Sequence, residues 1–332
     1  VFDPMLSGNA AAEGVVVEQL GTALTKDIHW VKDVFGAIEA RGHEKVDRPM
    51  AALNTARAVE GAVIHVTETA ELPIHIQYLG SKGDALCHHV IKLDAGTSLT
   101  VLESGTAGSR ANTCLEVDVA DGAAFHHLRI QGPDHDRHGL HHAFARLGNE
   151  SVFKSFTLTV NGALTRNETV VEFTGDDAAA HVSGASAGGA GYHHDDTIFV
   201  THGGVNCESR QVFKKVLRQG ATGVFQGKIL VREGAQKTDG YQISQGLLLD
   251  EASQFLAKPE LEIYADDVVC SHGSTCGAVD PTMLFYLTSR GVPKPEAENM
   301  LVLAFLDEAI EEIADEALAD AVRAVLGDWL AA

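Results

Sequence analysis

Two thiols, one imidazole and two carboxylates fall within eleven residues of this chain: Asp266, Asp267, Cys270, His272 and Cys276. Thiolate and imidazole are soft-to-borderline ligands, suited to iron, zinc and iron–sulfur chemistry. Cys270 and His272 stand two apart just after a short apolar strand, Leu261-Glu262-Ile263-Tyr264, so both side chains can point to one face. Gly273 predicts a sharp backbone turn behind them. Two donors are too few for a closed tetrahedral site, which takes four. Further ligands come from elsewhere in the chain, with Cys276 a candidate third, or from another subunit. Otherwise the group is structural, with Cys270 a small buried hydrophobe and His272 a turn cap.

Other candidates carry less chemistry. The seventeen His include four doublets: His88-His89, His126-His127, His141-His142 and His193-His194. Neighbours on a strand face opposite ways, so a doublet puts one ring in and one out and is not a chelate. The inner ring of each is expected to pack in the core and hydrogen-bond a backbone carbonyl. Tyr192-His193-His194-Asp195-Asp196 is richer, but the same geometry divides its donors between two faces. Gly220 to Lys228 looks like a phosphate loop and fails as one. Thr222 stands where a Gly is needed, and Ile229 where Ser or Thr would meet magnesium. No Gly-x-Ser-x-Gly elbow or His-Glu-x-x-His helix occurs.

The elements that must position these residues change along the chain. Residues 25–58 read as helical, with Val31, Val34, Phe35 and Ile38 on one stripe. From Gly61 to about Asp280, short β-branched runs recur, such as Leu99–Leu102, Phe156–Val160 and Gly227–Val231, separated by Gly, Asp and Asn. No helical crossover interrupts them, which argues against a parallel doubly wound sheet. The length favours a β-solenoid over a sandwich or double barrel, although no strict six- or nine-residue repeat is present. After Asp280-Pro281 the chain returns to helix. Pro293 and Pro295 open a last helix whose stripe is Leu306, Ile310, Ile313, Ala317, Ala321 and Val325. Met300 to Leu306 widens that stripe, which fits either a partner surface or a broad contact with the β core. Three segments are expected: 1–60 helical, with its start truncated, 61–280 β, and 281–332 helical.

Composition sets limits. A net charge of −21 repels phosphate backbones and anionic membranes, so nucleic acid and membrane are not expected partners. No apolar run is long enough to span a membrane, and no basic leader with an apolar stretch opens the chain at Val1-Phe2-Asp3. Five Cys without regular spacing suggest no disulfide framework and fit a reducing, cytoplasmic setting.

Several strings, in order, resemble the SufD branch of the SufB/SufD family of the SUF iron–sulfur cluster assembly scaffold. They are Gly223-Val224-Phe225 to Ile229, Val231 to Asp239, Leu247 to Leu249, Lys258 to Gly273, and Phe285 to Gly291. The resemblance is dense from about Tyr192 to Gly291 and continuous back to about Gly14. It implies a mainly β fold, a right-handed parallel β-helix between helical ends. It also implies a non-catalytic scaffold subunit that pairs with a SufB-type paralogue, or with itself when isolated, and docks a SufC-type ATPase. The C-terminal helices would take the ATPase, with Met300, Leu301, Phe305 and Leu306 as candidates. His272 would lie at the paralogue interface and share a nascent cluster there, with Cys270 beside it. No cofactor would stay on the isolated chain, and an iron–sulfur cluster would be transient in the complex. Two departures stand out: His194-Asp195-Asp196-Thr197 where the family reads His-His-Thr, and Ser274-Thr275-Cys276-Gly277 after the His. No family role passes to Cys276. The competing class is a β-helix enzyme acting on polysaccharide, which predicts a secreted chain rich in sugar-binding aromatics; aromatics are 6% here.

Overall fold

Along each strand, side chains alternate between two surroundings, and that alternation organises the chain. The structure, a computed structural model, describes residues 14–42, 46–80, 82–132 and 136–331. The opening Val1-Phe2-Asp3 lies outside them. The N-terminal part holds β1 (Val15–Gln19), α1 (Leu20–Thr25), α2 (Val31–Val34), α3 (Ala37–Gly42) and α4 (Pro49–Arg57). Sixteen strands follow: β2 (Ala62–Val66), β3 (Ile74–Gly80), β4 (Asp84–Leu93), β5 (Ser98–Ala107), β6 (Arg110–Val119), β7 (Ala124–Gln131), β8 (His138–Leu147), β9 (Val152–Val160), β10 (Leu164–Phe173), β11 (Ala179–Gly188), β12 (His193–His202), β13 (Glu208–Leu217), β14 (Thr222–Val231), β15 (Asp239–Leu248), β16 (Gln254–Ile263) and β17 (Val269–Gly277). The chain then forms α5 (Pro281–Thr288), α6 (Lys294–Ile310) and α7 (Glu316–Ala331).

Even-numbered strands β2 to β16 make one sheet and odd-numbered strands β3 to β17 the other. Within each sheet these strands run parallel, so two strands make one coil of a flattened β-solenoid. β1 is added antiparallel to β2 at the start of the first sheet. Leu164 lies beside His138 and Gln254 beside Thr222, offsets of 26 and 32 residues. A coil length that drifts this much leaves no fixed sequence repeat. Corner turns stack instead: Glu150, Asp177, Asn206 and Lys237 all have φ near +55°. Each donates its N–H to a carbonyl of the following coil's turn, at Asp176, Val205, Gln236 and Asp267. The Val231–Asp239 string is therefore a corner, tied to the next one by Lys237 N–H to Asp267 O and by Asp267 N–H to Gln236 Oε1.

The core has three main layers. Between the sheets lie Phe125, Phe153, Phe173, Phe213, Phe225 and their aliphatic neighbours. The outer face of the even sheet buries Val63, Val90, Cys114 and Phe144 under Leu20, Val31, Val34 and Ile38 of the N-terminal helices. The outer face of the odd sheet buries Phe156, Leu158, Val212 and Val216 under Val302, Leu306, Val322 and Trp329 of α6 and α7.

The structure departs from the sequence expectations in three places. The N-terminal helical segment begins with a strand, β1, and its stripe is split between α2 and α3 by Gly36, whose φ of +72° no continuous helix contains. The last helix is two helices, because Asp315 Oδ1 accepts the Leu318 N–H and starts α7 afresh. That restart shifts the buried stripe to Ala319, Val322, Leu326 and Trp329 and leaves Ala317 and Ala321 exposed. Gly273 makes no turn, since it sits inside β17 and is absent from the positive-φ glycines.

Candidate functional site

β17 is the last strand of the odd sheet, and β16 the last of the even one, so the final coil has no following coil against either. Cys270, His272, Ser274 and Cys276 occupy alternate positions on β17 and share its inner face. Cys270 turns into the core beside Ile229 and Val231, where Gly240 makes room for its sulfur; burial pushes its thiol pKa up. Such a thiol is a poorer source of thiolate than an ordinary cysteine. Ser274 Oγ accepts the Ser244 hydroxyl at 3.1 Å. His272 and Cys276 are exposed, and no described group hydrogen-bonds the His272 ring. Four residues of strand separate them by about 13 Å, so they cannot share one metal ion. Asp266 and Asp267 lie in the turn before β17, off this inner face. Among the described residues, no three His, Cys, Asp or Glu side chains come together as a metal site. A ligand set that includes His272 therefore needs donors from outside the described chain.

Several apolar side chains are open around the final coil, among polar ones such as Lys258 and Asp266. Val269 is 70% exposed and Tyr264 60%, with Leu256 and Ile263 also open. Uncapped strand edges that carry such residues are templates for pairing with another chain.

The interior behind His272 is where sequence reading fell short. Part of the inner face is polar, and buried polar side chains recur along the solenoid, among them His89, Glu103, His127, His194 and Lys215. His89 Nδ1 accepts the Ala62 N–H, which leaves Nε2–H to donate to Tyr78 Oη; Tyr78 in turn donates to Glu103. Glu103 also accepts from His127 and faces Arg129 at 3.4 Å. Burial alone would raise the Glu103 pKa, but Arg129, His127 and His89 hold it well below the usual carboxylate range. His141 Nδ1 faces Arg129 Nη2, a donor only, so His141 is the neutral Nε2–H tautomer. Further along, Gln131, Thr159 and Asn167 link to His194, Asp196 and Lys215. The Lys215 ammonium pairs with Asp196 and donates to His194. Burial pushes His194 down to about 4.

The doublets do alternate in and out. Their inner rings, however, meet side chains rather than backbone carbonyls, and two outer rings are buried as well. His88 pairs with Glu116, which also caps α3 by accepting the Gly36 and Glu39 N–H groups, and His142 pairs with Glu168. The strand that carries each of these residues is readable from its sequence, but the partners come from other strands at varied separations: Tyr78 is 11 residues from His89 and Asn167 is 36 from Gln131.

The C-terminal candidates separate. Leu306 is fully buried against the odd sheet, and Leu301 and Phe305 are half-buried, with Phe305 under Lys214. Met300 stays 47% exposed. The open apolar surface is on α5, missed by the sequence reading: Phe285 is 71% exposed, Met283 and Tyr286 about half, and no residue of the helix is buried. No described helix is long and apolar enough to cross a membrane.

The fold is thus a parallel β-solenoid whose last coil is open, with helices over both outer faces and the exposed imidazole of His272 at the open rim. Residues 77–305 match the SUF system FeS cluster assembly, SufBD core domain. The chain belongs to that SufB/SufD family of iron–sulfur cluster assembly proteins. It is 27% identical over 303 residues to the iron–sulfur cluster assembly protein SufD of Escherichia coli, covering 91% of this chain and 69% of that protein. It is 27% identical over 324 residues to SufD of Bacillus subtilis, covering 93% and 72%. A chloroplastic protein of Arabidopsis thaliana, ABCI7, is 26% identical over 296 residues, covering 82% of this chain and 61% of its own length.

Proposed function

We propose that this chain is a non-catalytic scaffold subunit in the assembly of iron–sulfur clusters. It pairs through β16 and β17 with a SufB-type paralogue, or with a second copy when alone, and docks a SufC-type ATPase on its C-terminal helices. The observation that carries this reading is the open final coil, with exposed Val269 and Tyr264 around the inner-face His272. The nascent cluster is cargo, held between subunits, to which His272 gives one imidazole nitrogen. Cys270, buried and hard to ionise, is a weaker donor. Nucleotide chemistry stays with the ATPase, because the segment from Gly220 to Ile229 is a turn and strand β14 rather than a phosphate loop. The setting is cytoplasmic.

For ATPase docking, α5 is favoured over the start of α6, since Leu306 already serves the fold. The test is co-purification from cell extract followed by cluster assembly in the full complex. His272→Ala is expected to fold and bind both partners yet fail to build clusters, while Cys270→Ala loses less. Full assembly by His272→Ala returns the imidazole to a structural role.

A further inference from the structure

The residue directly behind His272 in the solenoid is Gln242. Gln211, Gln242 and His272 occupy one register position on successive coils of the odd sheet, in β13, β15 and β17. Neighbours in such a ladder stand about 4.8 Å apart with side chains on the same face. Gln242 is fully buried and points inward: a Cβ built on Gly227 of the opposite sheet would lie 2.3 Å from its Nε2. That Nε2 donates to Gln211 Oε1 at 2.5 Å, back toward the preceding coil. The other end of the amide, Oε1, has no hydrogen-bond partner among the described residues. A carbonyl oxygen left unsatisfied in a buried place is costly, and native interiors rarely leave one. The neighbouring rung is an imidazole whose ring no described group holds.

We propose that Gln242 is a positioning residue for His272. Once the exposed ring turns onto the rung behind it, Oε1 accepts the N–H of one ring nitrogen, fixes the neutral tautomer, and leaves the other nitrogen as a lone-pair donor at the open end. Metal-binding histidines need this arrangement, because an imidazole that spins or exchanges tautomers presents its lone pair only part of the time. Gln242 is itself locked by Gln211 behind it and by the absence of a side chain at Gly227 opposite. The proposed hydrogen bond needs only residues of this chain; its use rests on the reading of His272 as a ligand to the nascent cluster.

The experiment uses the full chain labelled with nitrogen-15 in its histidines. The His272 ring signals are identified by their loss in His272→Ala, and their shifts report which nitrogen carries the proton. Wild type is expected to show one tautomer. Gln242→Leu is expected to show both in exchange, and Gln242→Glu, which keeps an acceptor oxygen, to show one. Gln211 can turn its amide to donate to that carboxyl. Should Gln242→Leu fail to fold by circular dichroism, Gln242→Met, of similar length and without the acceptor, replaces it. A single unchanged tautomer in the acceptor-free variant overturns the proposal. In the full complex, the same variant is expected to lower cluster assembly about 10- to 100-fold, with Gln242→Glu retaining most of it. If His272→Ala still assembles clusters, the ligand reading fails while the tautomer result stands. If His272→Ala is inactive and the tautomer ignores Gln242, the positioning role alone fails.

Discussion

His202, at the end of β12, makes the stability of this solenoid sensitive to acid, and the size of the effect can be worked out. The residue is fully buried, stacks on Phe173 at 4.5 Å, and shares a 2.8 Å hydrogen bond between Nε2 and Ser209 Oγ. Among the described residues its Nδ1 has no partner and no carboxylate stands by to welcome a charge; burial pushes its pKa from 6.5 down to about 4. Above pH 6.5 the ring is neutral in both folded and unfolded chains and costs nothing. Below it, the unfolded chain takes up a proton that the folded chain refuses, so stability falls by about 1.4 kcal/mol for each pH unit. The fall ends near pH 4, where the folded ring also titrates, after about 3 kcal/mol in all. Half to two-thirds of that loss is present at pH 5. The perturbation is His202→Gln, which keeps a polar partner for Ser209 and removes the titration. Urea unfolding of both proteins is followed from pH 7.5 to 4.5. The variant is expected to be the less stable at pH 7.5, through lost stacking, and the gap to close by about 2 kcal/mol at pH 5. Parallel pH profiles would refute the claim that His202 is held neutral by burial.

Three further outcomes are expected. Lys215→Met leaves Asp196 as an unpaired buried charge and should cost about 3–5 kcal/mol in urea unfolding. Adding Asp196→Leu should recover part of that loss, and a double variant no better than the single would show that the pair is not coupled. Leu256→Lys with Val269→Lys places charges on both open edges and should convert a dimer of the isolated chain to monomer by light scattering; an unchanged dimer would move the interface elsewhere. Phe285→Ala with Tyr286→Ala should lose ATPase capture with the fold intact by circular dichroism. Deleting everything beyond Pro293 should instead destabilise the β core, because it strips Leu306 and Trp329 from Phe156 and Leu158. A truncated chain that melts like wild type would contradict the packing of α6.

What the sequence disclosed and what it hid divide along physical lines. Period-2 runs bounded by Gly, Asp and Asn are local, so the strands of the solenoid were legible one by one. The coil was not, because its closure depends on corners whose spacing varies from 26 to 32 residues and whose left-handed residues are Glu, Asp, Asn and Lys as well as Gly. The last helix stripe misled where Asp315 resets the phase, whereas Val31, Val34 and Ile38 are buried although Gly36 breaks their helix. His272 stood out because its neighbours are unusual in type. Gln242 did not, because a glutamine thirty residues upstream acquires meaning only when the ladder sets it beside that imidazole. In a solenoid, the chemistry at one position is written down a column of coils rather than along the chain. The side chains that matter to His272 are therefore those at its register in the coils behind it and in whatever chain covers the open end in front.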